Sequence, residues 1–299
     1  MLDIKKVESD NYFNIVGTLN EIEVKEGTSA AKNDKWISCN LQVRVDQEID
    51  GEVVENIIPV NLYAMRHKSN STELNTNYDR IVDYKENLIS LGSCEKGQEK
   101  LASKVAITAS IKENTFYAKT GEEVNDWRLS TNFVNNQRAS DEEGARFQVT
   151  GVVVKKFRET NREGDETGKL IIKLCLIGYN GKANVIEFCA YGTKADYIEQ
   201  HWDKGDTVKC AGFITITNKV IETKEDTGFG DPIITRRTET RRELVIDRGS
   251  GEGLNEARSY DADDIRVALD ERKAELVKAQ AAAKEKKPTK STSNDDLGF

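Results

Sequence analysis

Short apolar runs rich in β-branched residues dominate the first 250 residues of the chain. Runs of this kind, bounded by polar and glycine-containing segments, predict β-strands. In the first half the predicted strands are Asn14–Leu19, Trp36–Val45, Asn56–Ala64, Lys104–Ile111 and Trp127–Asn135. Between the third and the fourth strand, apolar residues recur at helical spacing, which predicts a helix over Tyr78–Leu91.

The same order of elements repeats in the second half. The predicted strands there are Arg146–Phe157, Lys169–Tyr179, Asn184–Gly192, Asp206–Ile216 and Arg236–Ile246, with a helix over Thr193–Trp202 between the third and the fourth. Five strands with one helix in that place is the order of an OB fold, a small and partly open barrel. We therefore expect a chain dominated by β-structure, with two tandem OB-fold barrels in residues 1–140 and 145–249. A single large β protein without internal duplication is the alternative.

The last 50 residues follow a different pattern. After the glycine-containing segment Ser250–Asn255, residues 256–287 have high helix propensity, with acidic residues at the start and lysines at the end. Ile265, Leu269, Arg272 and Leu276 form a narrow stripe on this predicted helix, which is expected to pack on a barrel or on a second chain. Residues 288–299 are polar, and we expect a flexible tail with an acidic tip.

Composition and charge narrow the class of protein. The 299 residues suffice for two domains, and no apolar run approaches the roughly 20 residues of a membrane-spanning helix. We expect a cytoplasmic protein without a membrane partner. The net charge of −8 is uneven: residues 1–150 carry 18 basic and 25 acidic side chains (−7), residues 151–250 carry +1, and the remainder carries −2. A local basic groove is compatible with an acidic chain.

Catalytic and metal-binding motifs are missing from the sequence. The five cysteines (Cys39, Cys94, Cys175, Cys189 and Cys210) are far apart, and only two histidines could complete a metal site. The cysteines are best interpreted as small core residues in a reducing compartment. No phosphate-binding glycine loop, nucleophile elbow or zinc-binding helix motif is present. We expect neither a cofactor nor a metal, and no enzymatic activity.

The second predicted barrel supplies the basic residues that an OB fold uses to hold a single strand. OB folds combine a basic groove with aromatic side chains on which bases stack. The candidate cations lie in two clusters, one leaving the first strand and one between the fourth and fifth strands: Lys155, Lys156, Arg158 and Arg162, and then Arg236, Arg237, Arg241 and Arg242. The alternative for each cluster is an exposed strand end or a ladder of cross-strand ion pairs.

Strand alternation selects the candidate aromatic side chains. If Leu170, Ile172, Leu174 and Leu176 point into the barrel, the side chains of the opposite face include Lys173 and Tyr179. By the same argument Tyr191 points outward, whereas Phe188 belongs to the core. In the first predicted barrel the corresponding candidates are Trp36, Tyr63, Arg66 and Lys68.

The segment AYGTKADYIEQHWDKGDTVKCAGFI resembles the corresponding stretch of bacterial and phage single-stranded DNA-binding proteins, and the terminal DDLGF resembles their acidic tip. The resemblance implies that Tyr191 stacks on DNA. It also implies that Asp295, Asp296, Leu297 and Phe299 bind replication and repair proteins, the Phe299 ring entering a pocket while the carboxylates meet basic residues. The chain departs from the family at Gly298, where proline is more usual, and at Val185, where many members have a stacking tryptophan.

The sequence thus favours a single-stranded DNA-binding protein that coats DNA without sequence preference. We expect the protein to be encoded by a phage and to act in DNA replication, recombination or repair in the cytoplasm of the host. We expect it to recruit partner proteins through the tip and, by analogy with the family, to form a homodimer. Two alternatives come from other classes. One is a protein-interaction or assembly module of a replisome in which only the second barrel contacts nucleic acid; the other is an OB-fold nuclease, for which no catalytic constellation is present.

Overall fold

The computed structural model describes residues 11–285, with the exception of residues 31, 50, 70, 118–122, 162, 179–180 and 226–232. Strands predominate in these residues, and one eleven-stranded sheet contains nearly all of them. No helix within the described ranges is both long and apolar enough to span a membrane.

The first half is built from long antiparallel strands followed by short ones. Its strands are β1 (Tyr12–Ser29), β2 (Asp34–Ile49), β3 (Glu52–Met65), β4 (Lys104–Glu113), β5 (Phe116–Tyr117), β6 (Glu123–Val124), β7 (Trp127–Ser130) and β8 (Asn135–Asn136). Helix α1 (Thr76–Asn87) lies between β3 and β4 and begins after Asn75, whose side chain accepts a hydrogen bond from the Asn77 backbone N–H. Two 3-10 turns, Leu91–Ser93 and Glu99–Leu101, lead into β4.

The second half has the same order without the short insertions. Its strands are β9 (Gly144–Thr160), β10 (Glu166–Ile177), β11 (Ala183–Tyr191), β12 (Thr207–Glu225) and β13 (Ile233–Gly249), with α2 (Gly192–His201) between β11 and β12. A 3-10 turn, Glu256–Arg258, precedes the C-terminal helix α3 (Ala262–Glu285). The predicted order of strands and helices is therefore confirmed in both halves.

Hydrogen-bonded pairs close each half on itself. In the first half, β1 pairs with β2, β2 with β3, β3 with β7, β7 with β4, and β4 again with β1. In the second half, the corresponding series is β9, β10, β11, β13 and β12, which returns to β9. We call these series the first and the second circuit. In each circuit the third and the last strand are parallel, whereas every other pair is antiparallel.

The two circuits are joined edge to edge. Residues 12–16 of β1 pair antiparallel with residues 144–148 of β9, which makes the sheet continuous. Aromatic rings continue this joint, since the Phe13 and Phe147 rings stack with centroids 5.7 Å apart. The side chain of Asn56 adds a buried link by accepting a hydrogen bond of 2.8 Å from the Ile216 backbone N–H.

Alternating burial along the strands produces one continuous core through both circuits. In β4, for example, Val105, Ile107, Ala109 and Ile111 are buried while their neighbours are more exposed. Phe188 and four of the five cysteines lie in buried positions, as expected: Cys39, Cys175, Cys189 and Cys210. Cys94 is only partly buried and is not a core residue. Burial raises the pKa of the Cys39 and Cys175 thiols to about 12, so both remain protonated near neutral pH.

Helix α3 covers the outside of the second circuit. Ile265 and Ala268 pack with Tyr260 against Val152 and Cys175 in a second, smaller apolar cluster. The C-terminal helix therefore packs on strands of its own chain.

Several boundaries differ from the sequence prediction. The hairpins extend well beyond the apolar runs: β1 reaches Ser29 rather than Leu19, and β12 reaches Glu225 rather than Ile216. The predicted strand Trp127–Asn135 is interrupted, because β7 ends at Ser130 and β8 comprises only Asn135 and Asn136. The strand β9 ends at Thr160 rather than at Phe157, so the whole of Lys155–Arg158 lies inside it instead of leading into a loop.

Candidate nucleic-acid interface

The outer face of β9, β10 and β11 carries an alternation of cationic and aromatic side chains. Strand register places Lys155 beside Lys173, and Lys173 beside Glu187, in one row across the three strands. The next row contains Phe157, Ile171 and Cys189, and the row beyond it pairs Lys169 with Tyr191. Phe157 is 37% exposed and Tyr191 is 38% exposed. We call this surface the second-circuit face.

Lys155 and Phe157 lie together on the second-circuit face. The Lys155 ammonium lies 4.9 Å from the centroid of the Phe157 ring, within the range of a cation–π contact. An exposed ring next to an exposed ammonium can stack on a base while the cation meets the adjoining phosphate.

A charged network holds Tyr191 at the end of β11. The Tyr191 hydroxyl donates to the Glu243 carboxylate, 3.0 Å from each oxygen. The buried Lys169 donates to the same carboxylate at 2.7 Å, and Arg241 approaches it at 2.6 Å. Burial and the neighbouring Glu243 charge raise the pKa of Tyr191. Burial lowers the pKa of Lys169, but the bond and the charge of Glu243 outweigh it, and the net direction is upward.

Two of the predicted cations face away from this surface. Lys156 and Arg158 alternate with Lys155 and Phe157 along β9, and both meet helix α2. The Lys156 ammonium donates to the backbone carbonyls of Glu199, at 2.5 Å, and Trp202. Arg158 forms ion pairs with Asp196 at 2.6 Å and Glu199 at 2.5 Å, and its side chain is only 18% exposed.

The arginines of β13 are distributed between two surfaces. Arg241 belongs to the second-circuit face, where it pairs with Glu243, whereas Arg242 points toward the first circuit. Arg236 is exposed, and the side chain of Arg237 lies outside the described part of the structure. The predicted candidates Arg162, Tyr179, Asp295, Asp296, Leu297 and Phe299 lie outside the described residues.

The first circuit has an aromatic pair at the corresponding place. The Trp36 and Tyr63 rings stack with centroids 6.4 Å apart, and Tyr63, at the end of β3, is 57% exposed. Trp36 lies over Gly27 of the paired strand, where a Cβ atom would come within 2.7 Å of the indole. Glycine at this position therefore creates the space that the indole occupies.

The two predicted cations of the first circuit follow β3. The Arg66 guanidinium lies 5.5 Å from the centroid of the Tyr78 ring, and the Lys68 ammonium pairs with Glu73 at 2.8 Å. Between them His67 bonds to Asp34 at 2.8 Å. The bond to His67 holds the pKa of Asp34 below its ordinary value.

Two candidates on these surfaces were not selected from the sequence. Phe157 is not among the candidates predicted from the sequence, although it lies two residues from Lys155 and strand alternation places both side chains on one face. Arg128 is exposed on β7 and lines a groove on the first circuit together with Lys25 and Arg242. Only the tertiary arrangement brings these three cations together.

Comparison with known proteins gives one family. A family model described as YorF matches residues 9–283, so the chain belongs to the YorF family. A search of the curated proteins finds no match.

Among solved structures, the chain is similar to the single-stranded DNA-binding protein from Thermus aquaticus. A deletion mutant of that protein superposes with a TM-score of 0.49 at 11% identity, covering 83% of this chain and 96% of that chain. The wild-type form gives 0.47 at 11% identity, covering 83% and 95%. A replication protein A heterotrimer bound to single-stranded DNA gives 0.23 at 11% identity, covering 92% and 55%.

Proposed function

We propose that this protein binds single-stranded DNA without sequence preference, through two OB-fold barrels formed by the first and the second circuit. The observation that carries the proposal is the repetition of an exposed tyrosine at the end of the third strand in both circuits: Tyr63 stacks with Trp36, and Tyr191 lies beside Lys169 and Arg241. Aromatic rings stack on any base, and cations meet any phosphate, which favours binding without sequence readout.

Strand pairing supports the assignment of OB barrels. Each circuit has five strands in the OB order, with a helix between the third and the fourth, and each closes through a parallel pair of the third and last strands. The proposed domains are residues 1–140 and 145–249, followed by the C-terminal helix and a tail.

The biological setting is part of the same proposal. The protein coats single-stranded DNA in the replication, recombination or repair of phage DNA, in the cytoplasm of the host. Asp295, Asp296, Leu297 and Phe299 recruit partner proteins, and two copies of the chain form a homodimer. The support for these statements is the resemblance of the terminal DDLGF and of the segment around Tyr191 to single-stranded DNA-binding proteins.

Binding of a labelled oligo-dT to the full chain, followed by fluorescence anisotropy, tests the proposal. Tyr63→Ala and Tyr191→Ala are each expected to weaken binding by about 1–3 kcal/mol, the typical loss of one base–aromatic stack. Tyr197→Ala is the matched control, because Tyr197 is 47% exposed but lies on α2, stacked on His201. The proposal fails if the wild-type chain does not bind, or if the double variant binds as tightly as the control.

A further inference from the structure

A groove crosses the first circuit between the outer face of β1, β2 and β3 and the segment that contains Asp126 and Arg128. Its volume is about 410 Å³. The polar side chains that line it include Lys25, Ser38, Asn40, Asn61, Arg128 and Arg242. Five of these belong to the first circuit, but Arg242 comes from β13 of the second.

The groove lies next to the aromatic pair of the first circuit. In the sheet, Ser38 is paired with Lys25 on one side and with Tyr63 on the other, so the three side chains share a face. The adjacent row on that face contains Glu23, Asn40 and Asn61. A chain lying on the exposed Tyr63 ring therefore continues directly into the groove.

Arg242 is held in place by contacts with the first circuit. Its guanidinium carbon lies 4.1 Å from the centroid of the Trp127 ring, its Nη1 donates to Asp126 at 2.6 Å, and its Nη2 donates to the Trp127 carbonyl at 3.1 Å. The side chain remains 24% exposed. Arg242 lines the groove with this partly exposed side chain, and a guanidinium can bind a phosphate through its N–H groups.

Several acidic residues of the first half lie away from this groove. Asp46, Glu48, Glu142 and Glu143 line another cavity, of about 620 Å³, at the joint between the two circuits. None of these four residues lines the groove that contains Arg128, and the two carboxylates that do, Glu23 and Asp126, are outnumbered by Lys25, Arg128 and Arg242. The net charge of −7 on residues 1–150 is therefore compatible with a local site for an anion.

We propose that this groove is a composite phosphate-binding subsite for single-stranded DNA, completed by Arg242 of the second circuit. Arg128 and Arg242 bind the backbone phosphates, the Asn40 and Asn61 amides hydrogen-bond to the sugar–phosphate backbone, and Tyr63 stacks on the next base. This inference rests on the proposed function and deepens it, because it brings the acidic first circuit into the DNA path and makes its site dependent on the second.

Two substitutions at the Arg242–Asp126 pair are expected to act in opposite directions. Arg242→Gln removes a phosphate ligand and is expected to weaken oligo-dT binding by the full chain about tenfold. Asp126→Asn retains the shape of the side chain but releases Arg242 from its carboxylate, and is expected to tighten binding by roughly threefold. If Arg242 only held the circuits together, both variants would weaken binding, and that result would overturn the inference.

Matched controls come from the acidic cavity at the joint between the two circuits. Arg248→Gln lies on the same strand, and Glu142→Gln removes one acid of the first half, but both residues line the acidic cavity. Neither control is expected to change binding by more than about twofold, the scale of an exposed charge. Tightening by Glu142→Gln equal to that by Asp126→Asn would show a general charge effect and would contradict a local subsite.

Tryptophan fluorescence separates failure of this inference from failure of the proposed function. Trp36 stacks on Tyr63 beside the groove, whereas Trp127 and Trp202 are buried, at 6% and 1% exposure. Oligo-dT is expected to quench the full chain, and Trp36→Phe is expected to remove most of the quenching. The composite subsite is overturned if anisotropy shows binding but DNA does not quench Trp36 and Arg242→Gln does not change the affinity. In that case the second circuit still binds DNA. Absence of binding overturns the proposed function itself.

Discussion

At the scale of single residues, the alternation of side chains along a strand decides which cations are available to a ligand. Lys155 and Lys156 are neighbours in the sequence, yet Lys155 lies on an exposed face and Lys156 is bonded to the carbonyls of α2. The same separation applies to Arg241 and Arg242, which belong to different surfaces. A count of basic residues in a segment therefore overstates the charge that one surface presents.

Phe157 provides a residue-scale prediction. Phe157→Leu retains an apolar side chain but removes the aromatic face, and is expected to weaken oligo-dT binding by about 1–3 kcal/mol with little change in the free energy of unfolding. The measurement is anisotropy together with urea denaturation. Phe133→Leu is the control, because Phe133 is 50% exposed but lies under Arg80 on the first circuit. Equal affinities of the two variants would exclude Phe157 from the interface.

At the scale of elements, Glu113 connects three parts of the fold. It lies at the end of β4 and accepts hydrogen bonds from Arg272 of α3, at 2.5 and 2.7 Å, and from the Val185 backbone N–H of β11, at 2.9 Å. Burial raises the pKa of Glu113, but these bonds and that of Thr115 outweigh burial and hold it below its ordinary value. The ionised carboxylate therefore stabilises the docking of α3.

The lowered pKa of Glu113 makes the stability of the fold depend on pH. A carboxyl whose pKa is lower in the folded state stabilises the fold fully above its ordinary pKa, about 4.5, and this stabilisation is lost as the pH falls through the folded value. Glu113→Gln is expected to cost about 2 kcal/mol at pH 7 and to reduce the loss of stability between about pH 5 and pH 3. Urea unfolding across that range measures both effects.

The exposed Glu95→Gln serves as the control for this experiment. It is expected to leave the pH profile unchanged. A Glu113→Gln profile that is identical to the wild-type profile would mean that Glu113 does not contribute to the acid sensitivity.

The sequence predicted element types well because β-branched alternation is a local signal. The runs around Val105 and Leu174 were assigned to strands, and both residues are buried. The extensions to Ser29 and Glu225 were missed because long hairpins beyond a core are polar, and their strand pairing is decided by the partner strand. For the candidate site, alternation placed Tyr191 outward. The same rule places Phe157 on the exposed face of β9 together with Lys155.

At the scale of the whole molecule, most cations of the candidate surfaces are already paired with carboxylates of the protein. Lys173 lies 3.6 Å from Glu187, Arg241 lies 2.6 Å from Glu243, and Arg242 pairs with Asp126. A phosphate that binds these cations must displace an internal carboxylate, which then attracts a cation from solution. Fewer ions are released overall than a simple count of contacts implies.

Salt dependence measures this effect. If the six cations Lys25, Arg128, Lys155, Lys173, Arg241 and Arg242 each neutralised one phosphate, the slope of log K against log salt would be about −4. We expect a shallower slope, about −2. Glu187→Gln frees Lys173 and is expected to steepen the slope by roughly 0.7, whereas the exposed Glu252→Gln is not. A wild-type slope near −4 would show that the internal carboxylates do not compete with DNA.

The pairing between β1 and β9 has a consequence for any attempt to divide the protein. Cutting the chain near residue 140 would remove the partner from residues 12–16 of one half and from residues 144–148 of the other. Each half would then carry a free strand edge, which is a template for pairing with other chains. Separate halves would thus tend to self-associate or aggregate, so the contribution of each circuit must be measured by point substitution in the intact chain.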